Sequence, residues 1–91
     1  MLVDLLKFVV TDAGAAELLM KEQTVASRED EGCLYAHVFR SKDDPAEFFM
    51  LMSWENQESV DKHMDTEHDI LFRERLDPIL AGPPEFLELV I

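Results

Sequence analysis

Between Phe48 and Glu88 the chain carries its most constraining pattern. An apolar run, Phe48-Phe49-Met50-Leu51-Met52, passes into Ser53-Trp54-Glu55-Asn56, a signature of a strand that ends where a helix is capped. A helical stretch with a break at Asp65-Thr66 follows, then Leu80-Ala81-Gly82-Pro83-Pro84-Glu85 and a last apolar run, Phe86 to Ile91. A strand, a helical segment stopped near Pro78 and a second strand entered through Gly82-Pro83-Pro84 leave few ways to fold.

The first half has the same rhythm. Leu2 to Val10 is apolar and β-branched and closes on Thr11-Asp12-Ala13-Gly14, so it reads as strand one. From Ala15 to about Asp30, the residues Ala15, Leu18, Leu19, Val25 and Ala26 recur at helical spacing and predict an apolar helix face. Glu31-Gly32 ends that helix, with glycine free to take a positive φ. Cys33 to Arg40 and Glu47 to Trp54 are strands two and three, joined by the turn chemistry of Ser41-Lys42-Asp43-Asp44-Pro45. The next helix is capped by Asn56 and places Val60 and Met64 inward; the one from about Glu67 to Leu76 buries Ile70, Phe72 and Leu76. The order β-α-β-β-α-β predicts a single α+β domain over residues 1–91. Its fold is ferredoxin-like, an antiparallel four-stranded sheet with the helices on one face.

Both faces of the central strands are largely apolar. Cys33, Tyr35, His37 and Phe39 alternate with Leu34, Ala36, Val38 and Arg40, and Phe48, Met50, Met52 and Trp54 alternate with Phe49, Leu51 and Ser53. A sheet with one face in water should alternate apolar and polar. The expectation is therefore a homodimer joined sheet to sheet.

Charge narrows the partners. Eight basic residues against 20 acidic ones give a net charge of -12, which repels phosphate backbones and anionic lipid, so no nucleic acid and no membrane is expected. The acidic residues are spread along the chain as a solvated shell. Asp4 and Lys7 interrupt the first apolar run, so it reads as a strand and not a signal peptide. With one cysteine, Cys33, the expected location is the cytoplasm.

Several residues are candidates for chemistry. His68 lies four residues after Met64 and four before Phe72, so a continuous helix would turn all three toward the sheet, where an imidazole suits proton transfer. Its structural alternative is a cap near the Asp65-Thr66 break. His63, three residues after Val60, either edges the same cavity or sits half exposed beside Asp61 and Lys62. His37 and Tyr35 share a strand face and form an acid–base pair if that face lines the cavity, or interface residues if it meets a second subunit. Trp54 reads chiefly as a packing anchor, and Arg73 as an anion holder or a surface ion pair. Met50 and Phe72 line whatever pocket forms. No metal site is expected, because His63 and His68 are five apart and not the four that aligns two ligands on one helix face.

These residues resemble the antibiotic biosynthesis monooxygenase family of dimeric α/β-barrel domains. The resemblance rests on Glu31-Gly32-Cys33-Leu34, Arg40-Ser41 with Asp43-Asp44-Pro45, Ser53-Trp54-Glu55, Lys62-His63, Thr66-Glu67-His68 and Leu80-Ala81-Gly82-Pro83-Pro84, in that order. It implies a dimer built through the sheets and a cavity between sheet and helices. Some members oxidise phenol- or quinol-type substrates with molecular oxygen and no cofactor; others degrade haem or isomerise small sugars.

The haem-degrading branch needs a first-strand asparagine, a helical tryptophan and a later histidine ligand. Here the first strand lacks asparagine, and the other two positions fall near His63 and Arg73. The quinone-forming branch shares Trp54, but Met50 and Val60 stand where it has asparagine and tyrosine, and its arginine corresponds to Arg73 or Arg75. The resulting expectation is a cofactor-free monooxygenase acting on a small aromatic substrate and oxygen. His68, His37 and His63 would handle protons, and Tyr35, Trp54, Met50, Phe72 and Arg73 would contact substrate. An isomerase or lyase acting on a small carbonyl compound, or a non-catalytic small-molecule-binding dimer, is the alternative.

Overall fold

The computed structural model describes residues 1–91. Strand β1 (Leu2–Val9) leads to helix α1 (Ala13–Arg28), then strands β2 (Cys33–Arg40) and β3 (Glu47–Trp54). Helices α2 (Gln57–Met64) and α3 (Glu67–Leu76) follow, a short 3-10 turn spans Asp77–Ile79, and β4 (Glu85–Val90) closes the chain. The sheet order is β2-β3-β1-β4 with every neighbouring pair antiparallel, the ferredoxin-like arrangement that the element order predicts.

Each helix start has a chemical reason. The side chains of Asp12, Asn56 and Thr66 accept from the backbone N–H of Ala15, Ser59 and Asp69. Each thereby satisfies a donor that the first helical turn would leave unpaired. Because Thr66 caps a new helix, α2 and α3 are two short helices meeting at Asp65-Thr66, and residues 63 and 68 do not follow one helical period.

The core lies between the sheet and the helices: Phe8, Phe48, Met50, Met52 and Trp54 from the strands meet Ala16, Met20, Val60, Phe72 and Leu76 from the helices. Four sequence expectations fail here, the first being Met64, expected inward in α2 but 48% exposed. In α1, Leu18 and Val25 are exposed, at 61% and 59%, while Ala16, Met20, Gln23, Thr24 and Ser27 turn inward. Small and polar residues suit this face because α1 packs against both β2 and α3, and Gln23 finds a polar partner there. In α3, Ile70 is exposed and Asp69 is buried in its place, because Asp69 bonds to groups on α1 and α2. The expected Cys33/Tyr35 alternation also breaks: a bulge lets Cys33 pair with Trp54 and Tyr35 with Ser53, which turns Cys33 toward the core.

Gly32 has φ 82°, and a β-carbon there would lie 1.9 Å from Ser59 Oγ and 2.5 Å from Ser59 Cβ. The turn thus presses against the first turn of α2, while the Gly32 carbonyl accepts from the Glu55 N–H at 2.8 Å. Gly32→Ala combines a left-handed backbone penalty with forced displacement of α2, an expected loss of about 2–3 kcal/mol. Urea denaturation measures it, and Ser59→Gly in the same chain should recover part of the loss. A change below about 0.5 kcal/mol, within the range of innocuous surface substitutions, would show that the contact is not felt.

Candidate functional site

The helix-facing side of the sheet holds a cavity of about 520 Å³, bounded by the strands below, α2 and α3 above, and Pro84, Phe86 and Glu88 of the β4 region at its rim. Leu6, Phe8, Met50, Met52, Val60, Phe72 and Leu76 make its wall chiefly apolar. Such a space suits a compact aromatic molecule, since pockets of this size bind by shape and apolar contact with a few polar anchors.

Asp4 is the anomaly in that wall. Strand alternation points Leu2, Asp4, Leu6 and Phe8 to the helix side, and Asp4 is only 4% exposed yet has an oxygen, Oδ1, with no hydrogen-bond partner. Burial raises the Asp4 pKa above the usual carboxylate value, and Glu88, directly across the β1–β4 ladder, raises it further. The nearby indole N–H of Trp54 and the His63 ring offset this in part. Neither Trp54 Nε1 nor Asp4 Oδ1 completes a hydrogen bond of ordinary geometry.

Beside the cavity five side chains close a polar ring. His63 Nδ1 lies 2.6 Å from Asp30 Oδ2, and its Nε2 lies 3.3 Å from Asp69 Oδ1. Gln23 Nε2 donates to the same Asp69 oxygen at 3.0 Å, which leaves Gln23 Oε1 as the acceptor for His68 Nδ1 at 3.1 Å. His68 Nε2 returns to Asp30, 2.9 Å from Oδ2 and 3.0 Å from Oδ1. Burial by itself would lower the proton affinity of His63, but the carboxylates of Asp69 and Asp30 outweigh it and its pKa is raised. The ring spans the turn after α1, the end of α2 and the start of α3. It therefore fixes the helices that roof the cavity.

The fold and this cavity can be set beside known proteins. The sequence profile of a family described as antibiotic biosynthesis monooxygenase matches residues 7–75. The chain belongs to that family. Three solved structures share its fold. A Nitrosomonas europaea protein is 18% identical, with 99% of this chain and 97% of that one covered and a TM-score of 0.94. An antibiotic biosynthesis monooxygenase is 18% identical over 100% and 98%, with a TM-score of 0.93. A Pseudomonas aeruginosa protein is 22% identical over 99% and 92%, with a TM-score of 0.92. A search of curated proteins finds no match.

Within this member of the antibiotic biosynthesis monooxygenase family, the candidate residues fall into three places. His63, Met50, Phe72 and Arg73 line the cavity. Trp54 lies just behind it, fully buried, with its ring 4.6 Å from that of His63. His68 is half-buried and outside the cavity wall, held by Asp30 and Gln23. Tyr35 and His37 stack on each other, 5.8 Å between ring centres, on the opposite face of the sheet. The structure does not bring them to the cavity. Arg73 is already engaged, its Nε 3.1 Å from Asp69 Oδ2 and its Nη2 donating to the Met64 carbonyl at 2.8 Å.

Sequence reasoning missed Asp4, Gln23, Asp30 and Asp69 as site residues. Only Asp4 carried a visible signal: a charge at an inward position of an apolar, period-2 strand. Apart from His63 and Asp69, six residues apart, the bonded ring partners are separated by 33 to 46 residues and become neighbours only through the fold.

Proposed function

We propose that this protein oxidises a small phenol- or quinol-type molecule with molecular oxygen and no cofactor, with Asp4 as the proton acceptor. The observation that carries the reading is the buried carboxyl of Asp4, its Oδ1 unpartnered, in the wall of a chiefly apolar cavity. A carboxylate whose affinity for protons is raised by burial is a better base than a solvated one, and apolar walls exclude bulk water from the anion that forms. Asp4 takes the hydroxyl proton, the phenolate passes one electron to oxygen, and the radical and superoxide combine at carbon. The resulting hydroperoxide recovers the proton and loses water to leave a quinone. One phenol with a ring C–H and one oxygen molecule become one quinone and one water.

The histidines are less suited to this step as the chain is folded. His68 does not reach the cavity, and both ring nitrogens of His63 face carboxylates. His63 then serves as a fixed wall that supports Trp54 and the helices. The open volume favours this reading over a merely packed dimer, since Met50, Met52, Phe8 and Phe72 line the space without filling it.

Oxygen consumption with a panel of quinols and phenols tests the proposal. The wild type should accelerate uptake, and Asp4→Asn should lower the rate by about 100-fold or more, starting from the lower end of the range for losing a general base. Equal rates for wild type and Asp4→Asn would refute the role of Asp4. Turnover without oxygen would transfer the same base to an isomerase or lyase acting beside a carbonyl group.

The outer sheet face supports the expected homodimer. Leu5, Tyr35, His37, Phe39, Phe49, Leu51, Leu87 and Leu89 share it, with Phe39, Leu87 and Leu89 about half exposed. A contiguous apolar face of this kind is covered in solution by a partner. Light scattering after size-exclusion chromatography should give twice the 10.5 kDa chain mass; a monomer mass would refute the sheet-to-sheet dimer.

A further inference from the structure

The proposed oxidation leaves the most concentrated set of ligating atoms in the molecule unused. Asp30, His63 and His68 each offer one donor atom, and the three atoms lie within 4.8 Å of one another. We propose that these three residues bind one divalent transition-metal ion, with zinc as the best-matched choice. Two imidazoles and one carboxylate, with a fourth position left to solvent, form a common tetrahedral donor set for zinc.

The atoms behind the ligands already orient both rings. Metal-bound histidines as a rule donate their second ring N–H to a carboxylate, carbonyl or amide oxygen, which fixes the ring and its tautomer. Here His63 Nε2 faces Asp69 Oδ1 at 3.3 Å and His68 Nδ1 faces Gln23 Oε1 at 3.1 Å. The nitrogens left over, His63 Nδ1 and His68 Nε2, are the two that converge on Asp30. Gln23 is itself oriented by donating to Asp69, and Arg73 holds the other Asp69 oxygen. Both rings are therefore aimed from behind at one point.

Charge and access agree with this assignment. Asp30 and Asp69 bring two carboxylates to the site, whose charge a divalent ion would balance. The -12 chain also draws cations to its surface. His68 is 28% exposed and Asp30 16%, so an ion can reach the site from solvent without passing through the cavity. Donors about 2.0–2.1 Å from a tetrahedral ion sit roughly 3.3 Å apart, wider than the present 2.6 and 2.9 Å contacts. Asp30, in the turn between α1 and β2, must draw back by less than an ångström, and the two ring nitrogens, within 4.8 Å of each other, must settle at the same spacing. The bound ion would tie that turn to α2 and α3.

The five-residue spacing of His63 and His68 argued against such a site only for a continuous helix. The Thr66-capped break swings the two rings to 5.5 Å between centres.

Titration of chelator-treated protein with Zn²⁺, followed by calorimetry and thermal melting, tests the assignment. One Zn²⁺ per chain should bind, and a hundredfold excess over Kd should raise Tm by roughly 10 °C or more. Co²⁺ should give the intense visible bands of a tetrahedral site. His68→Ala and Asp30→Asn should each abolish the stoichiometric binding, with far-UV circular dichroism checking the fold, while His37→Ala, altered on the far sheet face, should retain it. Absence of heat and of a Tm rise in the wild type would overturn the proposal, as would binding that survives in folded His68→Ala or vanishes in His37→Ala. If either ligand variant fails to fold, an octahedral, water-like Co²⁺ spectrum in the wild type overturns it and a tetrahedral one supports it.

Discussion

Asp4→Asn is expected to make the protein more stable at neutral pH while removing the base of the proposed reaction. The sign follows from linkage. Because the folded state raises the Asp4 pKa, it binds more protons than the unfolded chain between the ordinary value near 3.9 and the higher folded value. Any stabilisation from protonated Asp4 is fully present below that window and is lost as pH rises through the folded pKa. Above the folded pKa the wild type holds a buried charge beside Glu88 with one oxygen unpaired. Asparagine removes the charge and offers Glu88 a donor in place of a like charge.

The gain should be about 1–2 kcal/mol, the scale of a buried polar group left unsatisfied. For a chain of this length that is a Tm rise of roughly 4–8 °C per kcal/mol. At a pH below 3.9 the advantage should vanish, because both residues are then neutral. Melting curves of the two proteins from pH 3 to 8 provide the check. A constant difference across that range, or a destabilised Asp4→Asn at pH 7, would remove the argument that Asp4 is held at a cost. Stability given up at one side chain, with activity as the return, is the expected mark of a working site.

The contrast between what the residues announce and what they conceal follows from range. Caps, turns and strand ends are local: Asn56, Gly32 and Pro78 act within a few residues, so the element order, the sheet and the break at Thr66 are legible in the sequence. Helix faces are less so. Counting apolar residues put Leu18, Val25 and Ile70 inside, whereas Gln23 and Asp69 are buried because they bond across elements. The polar ring is illegible for the same reason. Nothing near Asp30 in the sequence points to His63 or His68, and the spacing rule for two histidines on a helix fails once that helix is broken. Asp4 is the intermediate case, since a charge on an inward strand position is a local anomaly whose meaning depends on the cavity above it.

Trp54→Ala should cause the largest loss of stability of any single change considered, about 3–5 kcal/mol, as for other buried aromatic truncations. Trp54 is fully buried at the end of β3, paired with Leu2 and Cys33 in the sheet and packed against the His63 ring. Its removal empties the space under the last turn of α2 and frees His63 from the orientation that joins Asp30 to Asp69. A domain of this size has roughly 5–14 kcal/mol of total stability, so the variant should lose about a fifth of it or more. Trp54→Phe separates volume from the N–H. It keeps most of the packing and loses an indole N–H that makes no hydrogen bond of ordinary geometry yet still favours the Asp4 carboxylate, so its cost should be about 1 kcal/mol. The same change deletes a group that lowers the Asp4 pKa, so the pH window of the Asp4 effect should move upward. Urea denaturation followed by far-UV circular dichroism measures both variants, since the chain's single tryptophan is the residue being removed. A Trp54→Ala loss below about 1 kcal/mol would mean that the helices over the cavity are held by the polar ring alone. Asp30→Asn should then become the more damaging substitution.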